Sequence, residues 1–310
     1  MDAFPVPRLS PMHRPLLILA LLTLLPPTPL RPALHEPNSQ EDAPLSDTAL
    51  HTLIARVLVN QHADDQAIEF YERLEHRMLR EHANVPALIE DKLYRVVPTG
   101  TGTVKVSLEE WGHPVEPALY RREMIDLEKA LENSADPNNP RAAEDREKFL
   151  EHSRERREIV DELFKAYRAT WLSRDNRGGQ SLIKLHLDPD PAYRPSSRFT
   201  EFLRHGVATV WIDEHAAQVA RMDAELTSDV TFAGGVFGKV YRGGHMVLEQ
   251  SEVEPGIWLP AVYQYDFVGR KFLFLFEIHE RREISRYQRI GPPGEALAAI
   301  RRELSGNPLK

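Results

Sequence analysis

The segment ATVWIDEHAAQVARMDAEL, residues 208–226, decides the fold because it supports two interpretations. Its second half is rich in Ala, Glu, Gln, Arg and Met, residues with high intrinsic helix propensity. Periodicity disagrees, since the apolar side chains at 220, 222, 224 and 226 alternate with charged ones, as in a half-buried strand. The β-type residues 210–212 precede it, and residues 213–217 could form the reversal of a hairpin.

The sequence around this segment favours the hairpin. Short strand patterns with Gly and Pro breaks follow one another closely, which is typical of an antiparallel meander. The predicted strands are residues 181–187, 206–212, 219–226, 238–241, 246–252, 258–267 and 270–280, with turns at 234–235, 243–244, 254–256 and Gly269. We therefore predict an α+β fold in which residues 218–226 are a strand.

The remaining elements are mostly helical. Ser46 is expected to cap a helix that ends near residues 61–64, residues 68–79 fit either a helix or a strand, and short strands are expected at 94–97 and 104–108. Pro117 suits the first turn of a helix, and SADPNNP (134–140) separates it from a second helix that ends near Tyr167. Residues 117–170 thus form a predicted helical insertion. Its Glu/Arg-rich surface is typical of a solvated helix face, with partner binding as the alternative.

The N-terminus has the features of an export signal. The apolar run LLILALLTLL (16–25) follows His13 and Arg14 and is too short to span a bilayer as a helix. We predict a signal peptide over residues 1–33 and a flexible linker over 34–45, with an uncleaved anchor as the alternative and either Met1 or Met12 as the start. The chain is then expected to be exported to the periplasm or beyond.

Composition excludes several classes of protein. The 310 residues contain no cysteine, which rules out disulfides, thiol catalysis and a lipid-modified cysteine. The formal charge of -8 argues against a nucleic-acid partner. HERRE (279–283) has no second His at the metalloprotease spacing, GGVFGKV is not a phosphate-binding loop, and no nucleophile-elbow motif occurs. We therefore predict no catalytic residue, no metal site and no cofactor.

Several C-terminal motifs resemble one family. They are VWID (210–213), QVAR (218–221), GGVFGKVYRGG (234–244), LEQSEVEPGIWLP (248–260) and SRYQR (285–289). Together they resemble the bacterial envelope proteins related to LolA, LolB and RseB, often described as outer-membrane lipoprotein-sorting-like. The resemblance covers about residues 46–290. It implies a curved antiparallel sheet, or half-barrel, packed with helices, followed here by a C-terminal tail at 291–310.

The resemblance also implies an apolar cavity that accepts acyl chains. KFLFLFEIHE (271–280) is apolar on both faces, so the strand should be covered on both sides, either by a ligand space or by a dry core. The candidate cavity residues are Met222, Leu226, Trp258, Tyr263, Phe272, Phe274 and Phe276. The leading hypothesis is non-catalytic binding of a lipid or acylated partner. The alternative is an envelope sensor or adaptor that docks another protein through residues 117–170.

Overall fold

The computed structural model describes residues 43–136, 138–177, 179–197, 200–232, 238–272 and 274–306. The expected signal peptide, most of the linker, and the predicted turn at Gly234–Gly235 lie outside these residues. Within them the fold is α+β, as predicted, with thirteen strands in one open, curved antiparallel sheet and four α-helices.

The elements follow one another in a mixed order along the chain. They are α1 (Asp47–Ala67), β1 (Tyr71–Arg80), β2 (Leu88–Pro98), β3 (Thr103–Glu110), β4 (His113–Pro114), α2 (Pro117–Ala135), α3 (Pro140–Ala166), β5 (Tyr167–Arg177), β6 (Gln180–Pro189), β7 (Gly206–Asp213), β8 (Gln218–Leu226), β9 (Val230–Phe232), β10 (Gly238–Val240), β11 (His245–Glu254), β12 (Ile257–Lys271), β13 (Phe274–Arg289) and α4 (Pro293–Gly306). Short 3-10 helices lie at Ile68–Phe70 and Glu201–Arg204. The strand order is β4-β3-β2-β1-β13-β12-β11-β8-β7-β6-β5, and β10 pairs with β9 and β12.

The decisive segment forms the β7–β8 hairpin, which confirms the prediction from its period of two. Val210 lies opposite Met222, and Ala208 lies opposite Ala224. Asp213 Oδ1 accepts hydrogen bonds from the backbone N–H groups of His215 (2.9 Å) and Ala216 (2.8 Å), so a side chain stabilises the turn locally. Tertiary pairing on both sides of β8 therefore overrides the helix propensity of its residues.

The largest core cluster lies between α1 and strands β6 to β8. Ile183, Leu185 and Leu187 alternate into it, as their parity predicts, and Leu53 and Val57 of α1 pack against them. Ser46 caps α1 by accepting a hydrogen bond from the backbone N–H of Ala49 (3.3 Å).

Helix α1 runs further than the sequence indicated, to Ala67, because its last turns are held by the sheet. Asn60 Nδ2 donates to the carbonyl oxygens of Ala216 and Ala217 in the β7–β8 turn (2.9 and 3.1 Å). Asp64 accepts a hydrogen bond from the backbone of β12. The ambiguous segment 68–79 becomes a single 3-10 turn followed by β1.

Residues 291–310, expected to be a tail, contain helix α4. Ala296 and Ile300 are fully buried against α2 and strands β2 and β3. Ala296, Ile300 and Leu304 recur every four residues and therefore form an apolar stripe, which extends over only three helical turns. Arg301 extends this docking by pairing with Glu128 (2.8 Å) and Glu132 (2.9 Å) of α2.

Two boundaries also differ from the prediction. The insertion is helical only to Ala166, because Tyr167 begins β5. Gly269 is not a turn residue but lies inside β12, and the reversal falls between Lys271 and Phe274. Glycine is needed there for close approach, since a Cβ would lie 2.6 Å from the carbonyl oxygen of Lys239 and 2.4 Å from the ring of Phe276.

Candidate functional site

An apolar cavity of about 240 Å³ lies between the concave face of the sheet and the helices that cover it. Its floor is formed by side chains of β7, β8 and β11, namely Ala208, Met222, Ala224, Met246 and Leu248. The volume exceeds the roughly 150 Å³ of an apolar protein cavity that stays dry and binds benzene. The space is therefore large enough for a short hydrocarbon segment.

The roof of the cavity comes from the predicted insertion. Ile159, Val160, Leu163 and Phe164 of α3 recur at helical spacing and all face the cavity, while Val57 and Leu58 of α1 close one side. Nearer its start, α3 carries exposed charged pairs such as Glu144–Lys148, whose charged atoms are 2.6 Å apart. The helix therefore presents an apolar stripe to the cavity and carries exposed charged side chains elsewhere.

The lining changes character across β12. Leu248 and Met246 on the floor lie directly opposite Tyr263 and Tyr265 in the β11–β12 register. The two tyrosine rings stack with centroids 5.9 Å apart and an interplanar angle of 12°. This aromatic pair marks the boundary between the apolar half of the concave face and the part beyond it.

Beyond the tyrosines the concave face is charged. Arg282 and Glu280 of β13 lie opposite Tyr263 and Tyr265, and Glu280 pairs with both Arg282 and Arg77, the latter at 3.1 Å. Burial alone would raise the pKa of Glu280, but hydrogen bonds from the two arginines outweigh it and hold the pKa below its ordinary value. Glu75 is likewise buried and pairs with Lys105. This half therefore holds a ladder of compensated charges.

A second, polar space of about 770 Å³ lies between α3 and the start of β1. Tyr263 lines it together with Glu69, Arg73, Lys148 and Arg156. Burial raises the pKa of the Glu69 carboxyl to about 7, the Asp65 charge adds to the effect, and Arg156 and Arg73 oppose it. Tyr263 thus neighbours the apolar cavity through Leu248 and also borders this charged groove.

Asp64 anchors α1 to the sheet near the same region. Its Oδ1 accepts a hydrogen bond from the backbone N–H of Trp258 (3.0 Å), and only 3% of the residue is exposed. Burial raises the pKa of the Asp64 carboxyl to about 6, against hydrogen bonds from the Trp258 backbone and the Gln218 side chain. Asp64 is therefore a buried, titratable contact between three elements.

The residues expected to line the cavity are not brought together. Met222 is on its floor, Tyr263 is at its boundary, and Trp258 is buried in the contact with Asp64. Leu226 packs near Gly244. Phe276 packs on Gly269, whereas Phe272 and Phe274 are exposed at the end of the β12–β13 hairpin, so that part of β13 is not covered on both sides.

Several residues that line the cavity are not predicted from the sequence, although their apolar periodicity is visible in it. Met246 and Leu248 alternate in a predicted strand, but nothing in the sequence shows that β11 pairs with β8. The apolar residues of α3 recur at helical spacing, but nothing in the sequence shows which part of the sheet they cover. The sequence assigns the turn to Gly269 and so predicts Phe272 and Phe274 in a continuous strand, whereas in the structure they lie at a reversal.

Two further features are not found in the described part of the chain. No group of three or more His, Asp or Glu side chains in these ranges has a geometry that could hold a metal ion. Among the helices in the same ranges, none combines the length and apolar composition of a membrane-spanning helix.

Comparison with known proteins gives distant likenesses in fold. No protein-family model and no curated protein sequence matches the chain. One similar structure is a domain assigned to outer membrane lipoprotein sorting from Vibrio parahaemolyticus, with 9% identity, 76% of this chain and 92% of that chain covered, and a TM-score of 0.28. Another is MucB in complex with MucA(peri), with 8% identity, coverages of 76% and 93%, and a TM-score of 0.19.

Proposed function

We propose that this protein binds the hydrocarbon part of an amphipathic molecule, a lipid or an acyl chain on a partner, without catalysing a reaction on it. The observation that carries the proposal is the apolar cavity under α3, which directly adjoins a charged half of the same concave face. The hydrocarbon would occupy the cavity. The polar end would extend past Tyr263 and Tyr265 towards the ladder of Arg77, Glu280 and Arg282.

The energetics suit such a ligand. Each methylene group that leaves water contributes about 0.8 kcal/mol, so a buried segment of six carbons would contribute about 5 kcal/mol. A charged end group would be costly to bury among Met222, Met246 and Leu248. Past Tyr263 it would instead meet charged side chains, since Tyr263 lies opposite Arg282 and also borders the open charged groove. The division of the face therefore favours an amphipathic molecule over a wholly apolar or wholly polar one.

Filling the cavity tests the proposal. Ala224→Phe adds a ring to the floor, and we expect it to reduce binding of dansyl-undecanoic acid at least tenfold, measured by fluorescence titration. Ala63→Phe makes the same change at an exposed position of α1 and should leave the affinity unchanged. Equal affinities for the wild type and Ala224→Phe, with both variants folded, would contradict binding in this cavity.

The proposed place of action is the cell envelope, which the apolar run at 16–25 supports. Expression of the full chain with export to a cell's periplasm, followed by sequencing of the mature N-terminus, tests this part. Cleavage between residues 26 and 45 is expected. Retention of the intact N-terminus in the cytoplasm would contradict it.

The adaptor alternative requires a different experiment from deletion of the insertion. Because α3 supplies the cavity roof, removal of residues 117–166 would abolish ligand binding and partner docking together. Charge reversal at Asp126 and Lys129, an exposed pair of α2 that lines neither the cavity nor the charged groove, separates the two functions. Partner loss with unchanged probe binding would favour the adaptor hypothesis.

A further inference from the structure

The end of the β12–β13 hairpin exposes large apolar side chains. Phe274 is 77% exposed and Leu275 is 73% exposed, and they lie on opposite faces of the hairpin because they are adjacent in β13. Phe272, at the reversal itself, is half exposed. Scattered single apolar residues on a surface are ordinary, whereas neighbouring exposed ones indicate an interaction site.

Cationic side chains accompany this apolar end. Lys271 lies opposite Phe274, and Arg270 lies opposite Leu275. Residues 267–276 contain these two cations and no Asp or Glu, although the whole chain carries a formal charge of -8. Lys239 lies opposite Arg270 on β10, but its charge is compensated by Asp229 at 2.6 Å. The hairpin end is therefore a local positive patch on a negative protein.

An apolar row on the concave face connects this end with the cavity. Phe274, Phe276 and Ile278 alternate along β13, and Ile278 lies opposite Phe267. The ring of Phe267 is 6.4 Å from that of Tyr265, which lies opposite Met246 on the cavity floor. The exposed end and the cavity therefore share one continuous face of the sheet.

We propose that the hairpin end is a membrane-docking element for an anionic lipid bilayer. Phe274 and Leu275 would enter the interfacial region, while Arg270 and Lys271 contact the phosphate headgroups. Apolar insertion combined with electrostatic attraction gives reversible peripheral binding, and each cation near such a surface strengthens it. This goes beyond the proposed ligand cavity, since docking depends on residues that do not line it.

A single fluorescent label tests the docking. Because the chain has no cysteine, Leu275→Cys can be labelled with the environment-sensitive fluorophore NBD in the full-length protein. Vesicles of equal parts phosphatidylglycerol and phosphatidylcholine should increase its emission several-fold and shift it to shorter wavelength. The same label at Ile89→Cys, a 52% exposed position of β2, should not respond. Binding through the N-terminal apolar run would not place residue 275 in the bilayer in preference to residue 89, so it would not produce the expected difference between the two labels.

Neutralisation tests the role of the charges. Arg270→Gln and Lys271→Gln should each weaken binding to the phosphatidylglycerol vesicles about fivefold, and Arg302→Gln on the exposed side of α4 should not. An unchanged emission of the label at residue 275 would overturn the docking proposal. This holds even if the protein sediments with the vesicles, because another region would then be responsible for binding. Equal affinity for pure phosphatidylcholine vesicles would overturn the assignment of anionic headgroups. Residues 270, 271 and 275 do not line the cavity, so these substitutions should leave binding of dansyl-undecanoic acid unchanged. That measurement therefore reports separately on the proposed function.

Discussion

At the scale of single residues, Asp64 connects α1 with the sheet through a carboxylate that is costly to ionise. Its folded-state pKa of about 6 lies above the ordinary value of 3.8. The folded protein therefore holds this proton more tightly than the unfolded chain. The contribution of Asp64 to stability is fully present below about pH 4 and is lost as the pH rises to about 6.

Asp64→Asn should remove that dependence. The ionised carboxylate costs roughly 3 kcal/mol at pH 8 relative to pH 3, from a shift of about two pKa units. Denaturant unfolding between pH 3 and 8 should show that the variant gains stability relative to the wild type as the pH rises. Asp126→Asn, on the exposed side of α2, serves as the control and should follow the wild type. Parallel profiles for Asp64→Asn and the wild type would show that the carboxylate is not buried.

At the scale of an element, the β7–β8 hairpin places adjacent residues in opposite environments. Met222 packs against the main core and lies on the cavity floor. Asp223 faces the other side, where it pairs with Arg221 (3.2 Å) and His245 at partly exposed positions. Trp211 lies on this outer side too, with Lys184 5.0 Å from its ring centroid. The contacts therefore follow the alternation of apolar and charged residues that the sequence predicts for β8.

Two substitutions measure this alternation. Met222→Asp should cost several kcal/mol in the free energy of unfolding, because it places an unpaired charge in an apolar space. Asp223→Ala should cost less than about 1 kcal/mol, since partly exposed ion pairs contribute little. Urea unfolding of both variants at neutral pH gives the comparison. Equal losses would mean that the strand does not bury one face.

Some of this architecture could be predicted from local sequence, and some could not. The inward parity of Ile183 and Met222 and the cap at Ser46 depend on neighbours in the chain, so their patterns were sufficient. Strands β1 and β13 pair in the centre of the sheet although their paired residues lie about 200 positions apart in the chain, and no local pattern indicates this. From local sequence Gly269 is typical of a turn. Its actual role is to allow close approach of Lys239, a contact that depends on pairing with β10 and that local sequence does not show.

At the scale of the whole molecule, one concave face is divided between two chemistries. Strands β6, β7, β8 and β11 contribute the apolar side chains that α1 and α3 cover, and β13 and β1 contribute the compensated charges. Tyr263 and Tyr265 lie between them. A face with this division can hold an amphipathic molecule in one orientation. The exposed hairpin end extends the apolar part towards the surface.

The central claim is that the cavity under α3 holds hydrocarbon in the native protein. Mass spectrometry of organic extracts from the purified, folded protein tests it most directly, with Ala224→Phe prepared in parallel. We expect lipids or other acylated molecules in the wild-type extract in near-stoichiometric amount, and at least tenfold less in the Ala224→Phe extract. Wild-type protein that is consistently empty, or equal amounts in both extracts, would contradict the claim.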